Sequence, residues 1–153
     1  MADILVPLNG HVRIRAWEKQ PDGTEKEIYD KTIKNLIVDA GKVSILKFLG
    51  NLTGGGYVNG IGVGDSTTAA SSSQTDLIGT KYWKDIATAD RIILTTTLYV
   101  SADFGYTEGN FTWNELGLRD NQGTPVLIAR QIDSTPFVKT SSKRAIVEWQ
   151  LSL

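Results

Sequence analysis

The chain has 153 residues, a formal charge of −1 at pH 7, one histidine and no cysteine. Such a length suits one domain that buries roughly two-thirds of its unfolded surface. The composition excludes a disulfide framework, a thiolate nucleophile and Cys-based zinc sites, and the near-neutral balance offers no bulk attraction to nucleic acid or to an anionic membrane.

No stretch approaches the roughly 20 apolar residues of a membrane span. The amino terminus, Met1–Asn9, has no basic segment and too short an apolar run for a signal peptide, so nothing marks the chain for export. The apolar arm Ile4-Leu-Val-Pro-Leu8 is kept extended by Pro7. Two readings of it stand: it covers its own core, or it adds as a strand to a neighbouring subunit. Gly10–Lys19 alternates, with Val12, Ile14 and Ala16 on one side and Arg13, Arg15 and Trp17 on the other. Pro21-Asp-Gly-Thr24 is a turn, and Lys26–Val38 returns, giving a β-hairpin over 10–38. Its charges, Glu25, Lys26, Glu27, Asp30, Lys31 and Lys34, read as a solvated face.

A helix is expected over Asp39–Gly50, capped by Asp39, stopped by Gly50 and packed on a sheet through Val43, Ile45, Leu46, Phe48 and Leu49. Gly54–Gly56 is a flexible join. The strand from Tyr57 ends in Gly60-Ile-Gly-Val-Gly64 and the loop Asp65–Asp76. Glycines at alternate positions leave one strand face bare, open to a ring from Tyr57, Trp83 or Trp113. Leu77–Ala89 reads equally as a helical turn or an extended crossing. Arg91–Val100 reads as one strand, followed by Phe111–Arg119, a turn at Asp120–Gly123, a strand over Val126–Ile132 and a loop over Asp133–Arg144. In the final strand Ala145, Val147, Trp149, Leu151 and Leu153 point inward, so the last residue is expected in the core, with no tail beyond it.

Short strands at this spacing predict a single antiparallel, jelly-roll-like β-sandwich over residues 1–153, with an arm at 1–9 and one short helix near 40–50. The expected core is Val12, Ile14, Leu46, Ile61, Val63, Leu94, Leu98, Leu116, Leu118, Ile128, Val147, Trp149 and Leu151.

Signals for chemistry are sparse. His11, the only histidine, starts a strand beside Arg13 with no evident partner for a nucleophilic triad. Gly60–Gly64 lacks both the G-x-G-x-x-G spacing and a following helix, and Asp120–Gly123 lacks the alternating acids of a calcium loop. Glu108, Glu115 and Asp120 are the carboxylates that would have to converge for glycosidase chemistry. Tyr82, Trp83, Tyr99, Phe104 and Tyr106 would suit sugar stacking if exposed. Lys139–Arg144 is a basic run too isolated to draw nucleic acid. No catalytic residue, cofactor or metal is expected.

Several segments resemble one family. Asn35-Leu-Ile-Val-Asp-Ala-Gly41 before the helix, Gly60-Ile-Gly-Val-Gly-Asp-Ser-Thr-Thr-Ala69, and Asp76-Leu77 are similar to segments of small structural proteins of tailed bacteriophages. Asn114-Glu-Leu-Gly-Leu118, Val126-Leu-Ile-Ala-Arg130, Val138-Lys-Thr-Ser-Ser142 and the last strand resemble the endings of the same group. The likeness spans Asn35 to Leu153 and rests on motif order and spacing. It implies a non-enzymatic virion protein assembled in the host bacterial cytoplasm: a tail, baseplate or fibre-attachment component, or else a capsid decoration protein. A carbohydrate-binding sandwich is the competing class. The partners implied are copies of itself and other virion proteins, with a bacterial surface glycan as the ligand of the competing reading and no nucleic acid or membrane. The partner-binding candidates are Ile4, Leu5, Val6 and Leu8 of the arm and Asp65, Ser66, Thr67 and Thr68 of the loop. One departure is the Ser-rich Ala69–Gln74 tract where the family pattern often has Pro, which predicts a more mobile loop.

On the strand-addition reading, deleting residues 1–8 leaves a folded monomer and abolishes assembly, measured by circular dichroism and sedimentation. A truncated chain that assembles normally removes the arm from consideration.

Overall fold

Alternation decides which side of each strand is buried. In the computed structural model, which describes residues 8–153, Val12, Ile14 and Ala16 of β1 (Asn9–Lys19) are buried and Arg13, Arg15 and Trp17 face outward. β1 pairs on one side with β2 (Glu25–Lys34) and on the other with β10 (Lys143–Ser152), whose Ala145, Val147, Trp149 and Leu151 are buried in turn. With β6 (Arg91–Leu94) and β7 (Thr97–Phe104) these form a first antiparallel sheet in the order β2-β1-β10-β7-β6. A second has the order β3-β9-β8-β4-β5, from β3 (Leu36–Ile37), β4 (Val58–Gly64), β5 (Lys81–Asp85), β8 (Thr112–Asp120) and β9 (Leu127–Val138). The two sheets form a β-sandwich with one helix, α1 (Asp39–Leu49), and the chain changes sheet four times, after β2, β5, β7 and β9.

One end of the core is aromatic. Tyr29, Phe137, Trp113, Phe104 and Tyr82 follow one another with ring centroids 5.1, 5.3, 5.1 and 6.1 Å apart, bringing together rings from both sheets. Tilted and edge-on contacts of this kind add to what burial alone contributes. On the outer face of the first sheet the hairpin charges are paired across strands: Arg13 with Asp30 at 2.8 Å and Arg15 with Glu27 at 2.9 Å. Arg144 reaches Glu25 at 3.0 Å and Asp103 at 2.9 Å, and with Tyr106 it holds the Glu25 carboxyl down at about 2.

Several expectations need correction. Arg91–Val100 is not one strand but β6 and the first half of β7, joined by a two-residue turn at Thr95–Thr96. Thr95 takes φ 55°, a conformation costly for a β-branched residue, so the turn leaves no Gly or Asn to be read in the sequence. Leu94 is therefore 59 % exposed instead of buried, Leu98 is half-buried against the core, and Leu153 is exposed. Leu77–Ala89 holds strand β5 and then a single 3-10 turn over Thr88–Asp90. Residues 133–138 are not a loop. β9 continues through a bulge in which 133–136 stand opposite Asn114. Asp133 fastens that bulge to the other sheet, accepting from Tyr29 Oη at 2.9 Å and from the Lys31 ammonium. Burial and this carboxylate push the Tyr29 phenol up to about 12.

The helix has the expected limits and an unexpected orientation. Asp39 is its first residue and not its cap; the preceding Val38 is extended, and the Asp39 carboxylate pairs with Lys42 at 3.2 Å. At the other end the left-handed residue is Asn51, φ 52°, just past Gly50. The buried residues of α1 are Gly41 and Ser44, and Ile45 packs partly on the core, whereas Val43, Leu46, Phe48 and Leu49 are exposed. The cause is closeness. A Cβ at Gly41 would sit 2.4 Å from the backbone of Ile128, so α1 lies against β9 through its small residues and its large ones turn away. Nor is Gly54–Gly56 a loose join, since Gly55 packs on the backbone of Phe48.

Gly41→Ala is expected to destabilise by about 1–3 kcal/mol through overpacking against a backbone that cannot yield. Helix propensity alone predicts the reverse, a gain of about 1 kcal/mol. Urea denaturation gives the sign.

Candidate functional site

The register of the second sheet sets the site. Ile61 and Val63 of β4 and Leu116 and Leu118 of β8 face the core. Gly60, Gly62, Gly64, Glu115, Gly117 and Arg119 therefore face outward, joined by Trp83 opposite Gly62 and Arg130 opposite Gly117. Trp83 lies on the bare strand: a Cβ at Gly62 would meet its ring at 2.6 Å and Leu77 at 2.8 Å. Of the three rings considered from sequence, Trp83 is the one that packs there.

The segment 65–80 covers this face, and beneath it lies an ion pair with both side chains fully buried. Arg130 Nε donates to Glu115 Oε2 at 2.8 Å, and Nη2 lies 2.7 Å from the same oxygen, off the hydrogen-bonding direction. Arg130 Nη1 donates to the Thr68 carbonyl at 2.9 Å and to Gln74 Oε1 at 3.0 Å. Glu115 in turn accepts from the backbone N–H of Ile78 at 3.1 Å and of Gly79 at 2.8 Å. A charge taken out of water is tolerable only when its remaining donors and acceptors are met. Here the covering loop meets all but Arg130 Nη2, which has no hydrogen-bond partner among the described residues.

Those bonds fix where the candidate residues stand. Asp65 Oδ1 accepts from the Thr80 N–H at 2.7 Å, its carbonyl from Asn114 Nδ2 at 2.7 Å, and Ser66 Oγ from the Thr68 N–H at 3.1 Å. Thr67 and Thr68 are exposed. Asp39 N–H donates to the Ser72 carbonyl at 2.9 Å, tying the loop to the start of α1. The Ser-rich tract is thus tied to the start of α1 through Ser72 and to Arg130 through Gln74. Of the arm residues, Leu8 packs partly on the core, while Ile4, Leu5 and Val6 lie outside the described residues.

The three acidic candidates are engaged in three separate networks. Glu115 is under the loop. Asp120 is buried and accepts from Ser44 Oγ at 2.6 Å and from the Val126 N–H at 2.8 Å. Glu108 pairs with Lys84, and its carboxyl is held below the usual range by that ammonium and by the Gly105 N–H, against the opposing effect of burial. Among the aromatics proposed for stacking, Phe104 is in the core and Tyr82 packs on it. The basic run is dispersed as well: Lys139 is buried, donating to the Gly105 carbonyl at 2.7 Å and Asn110 Oδ1 at 2.9 Å. Burial lowers its ammonium pKa. His11 is exposed on β1 between Gln150 and Lys34. Among the described residues no cluster of three or more His, Asp or Glu is placed to hold a metal ion.

Beside the covered face an open groove of about 580 Å³ runs between α1, the loop, β5 and the 121–126 turn, lined among others by Asp76, Lys81, Trp83, Arg119 and Pro125. The Arg119 guanidinium lies 4.6 Å over the Trp83 ring and 3.5 Å from Asp85. Lys81 pairs with Asp76 and donates to the Leu77 carbonyl at 3.1 Å. Sequence reasoning reached Trp83 and missed Arg119, Arg130 and Gln74. For Arg130 the signal was present, a lone cation directly after the apolar run Leu127–Ala129. Comparisons of the chain with protein families, curated proteins and solved structures gave no match.

Removing either member of the buried pair alone, by Glu115→Leu or Arg130→Leu, is expected to cost roughly 3–5 kcal/mol, with part recovered in the double substitution. Urea midpoints measure the loss, and proteolysis should cut first within 65–80. Single variants as stable and as resistant as the parent would show that the pair does not hold the loop.

Proposed function

We propose that this chain is a non-enzymatic structural protein of a tailed-bacteriophage virion, in the tail, baseplate or fibre attachment. The observation that carries the reading is where the family-like segments meet. Gly41 docks the helix, Gly62 receives Trp83 and Leu77, Glu115 and Arg130 form the buried pair, and Thr68 supplies its carbonyl to that pair. Apart from Trp83, they come from five of the segments bearing the resemblance, with Gly62 and Thr68 on the same one. Their shared role is to build a rigid outer face, as expected of a protein whose work is shape. The engagement of Glu115, Asp120 and Glu108 within the framework supports the same reading.

A second reading, a carbohydrate-binding module, is favoured by one feature: the groove beside Trp83 and Arg119, where aromatic and polar groups line one open surface.

Labelling intact particles with an antibody to this chain tests the first reading. Signal at the tail tip or collar supports it, signal scattered over the head points to capsid decoration, and absence from purified particles overturns a virion role. A glycan screen tests the second. Saturable binding lost in Trp83→Ala or Arg119→Ala, with the fold intact, would replace the structural reading.

A further inference from the structure

A β-sandwich presents four sheet edges, each a row of unpaired backbone groups that invites another strand unless something discourages it. Three edges here are protected. β2 carries Glu25, Lys26, Glu27, Asp30, Lys31 and Lys34; β3 is two residues long; and β5 carries Lys81, Lys84 and Asp85. The fourth, β6, reads Arg91-Ile-Ile-Leu94, with Ile92, Ile93 and Leu94 exposed by 53, 72 and 59 %. It has no proline, no bulge and no lysine.

We propose that the β6 edge is a self-pairing surface: two copies of this chain join their first sheets antiparallel across a two-fold axis at Ile93. The backbone supplies the register. Leu94 and Thr97 close the two-residue turn, and such a closing pair exchanges both its hydrogen bonds. The pattern alternates, so the N–H and C=O of Ile93 point to the open edge, ready to exchange two bonds with the same residue of a second copy. That register sets Ile92 beside the second copy's Leu94 on one face, an apolar match repeated by symmetry. Charge is compatible. Arg91 would face Thr95, not another cation, and its guanidinium is already bound to the Val58 carbonyl, Asn59 Oδ1 and the Ile86 carbonyl. An edge of four residues spans only about 13 Å, and the contact falls short of the ~1,200 Å² of a stable interface. The dimer is therefore weak and concentration-dependent, suited to arrays that repeat the contact many times. None of this depends on where, or whether, the chain sits on a particle.

The test uses the full chain in sedimentation equilibrium over a wide concentration range. A reversible dimer is expected, weakened about tenfold or more by Ile93→Lys, which sets like charges together on the axis. Ile93 is largely exposed, so this variant should keep the parent's circular dichroism. Because the chain has no cysteine, Ile93→Cys adds an independent reading. Paired Cα atoms about 5.5 Å apart are within disulfide range, so mild oxidation should cross-link it, and Lys26→Cys on the β2 edge should stay monomeric. A monomer at every concentration, a dimer indifferent to Ile93→Lys, or preferential linking through Lys26→Cys overturns the proposal. So does a dimer lost on removing residues 1–7 with β6 unchanged, which would make the amino-terminal arm the contact.

Discussion

A carboxylate and a guanidinium sealed beneath a loop govern the second sheet. Neither the Glu115 nor the Arg130 side chain reaches the surface, and the partners they find beyond each other belong to Thr68, Gln74, Ile78 and Gly79. A segment rich in serine and threonine, with little apolar surface of its own, thereby acquires one conformation. The dependence is mutual: the loop without the pair has little to hold it, and the pair without the loop would be two unsolvated charges. Leu77 adds the apolar part, filling the space above Gly62 and Gly117.

The helix follows from the same constraint. Its first residue donates to Ser72 and its sixth, Ser44, reaches Asp120, so α1, the loop and the end of β8 are linked by polar contacts at close range. Close range selects glycine and serine at the contact. The large side chains are left to face outward, the reverse of an ordinary amphipathic helix, whose apolar stripe faces the core.

What could be read from the sequence was whatever rests on periodicity. The alternation of β1 and β10, the limits of α1 and the bare glycine strand all express local geometry that side-chain pattern reports directly. What escaped reading depended on distant partners. Thr95 makes a turn without a turn residue, and Asp133-Ser-Thr-Pro136 has loop composition yet lies in a strand because Tyr29 and Lys31 hold it. Leu46 and Leu94 have the spacing of core residues but lie where nothing covers them. Glu115 looked like a catalytic candidate because sequence cannot show that Arg130 stands opposite the neighbouring Gly117. The groove at Trp83 and Arg119 was half visible, since the ring was anticipated and the cation above it was not.

The pairing of β1 with β10 has a consequence for how the chain reaches this state. Val12 lies opposite Trp149 and Ile14 opposite Val147, so the centre of the first sheet joins segments made at widely separated times during synthesis. The hairpin β1–β2 can form locally, yet the second edge of β1 has no strand partner until β10 exists. Closing so long a loop adds only logarithmically to the entropic cost, but contacts between such distant segments slow folding. Completion of the first sheet is thus tied to the synthesis of β10. Through that interval the open edge of β1 is a row of unpaired backbone groups that needs shielding.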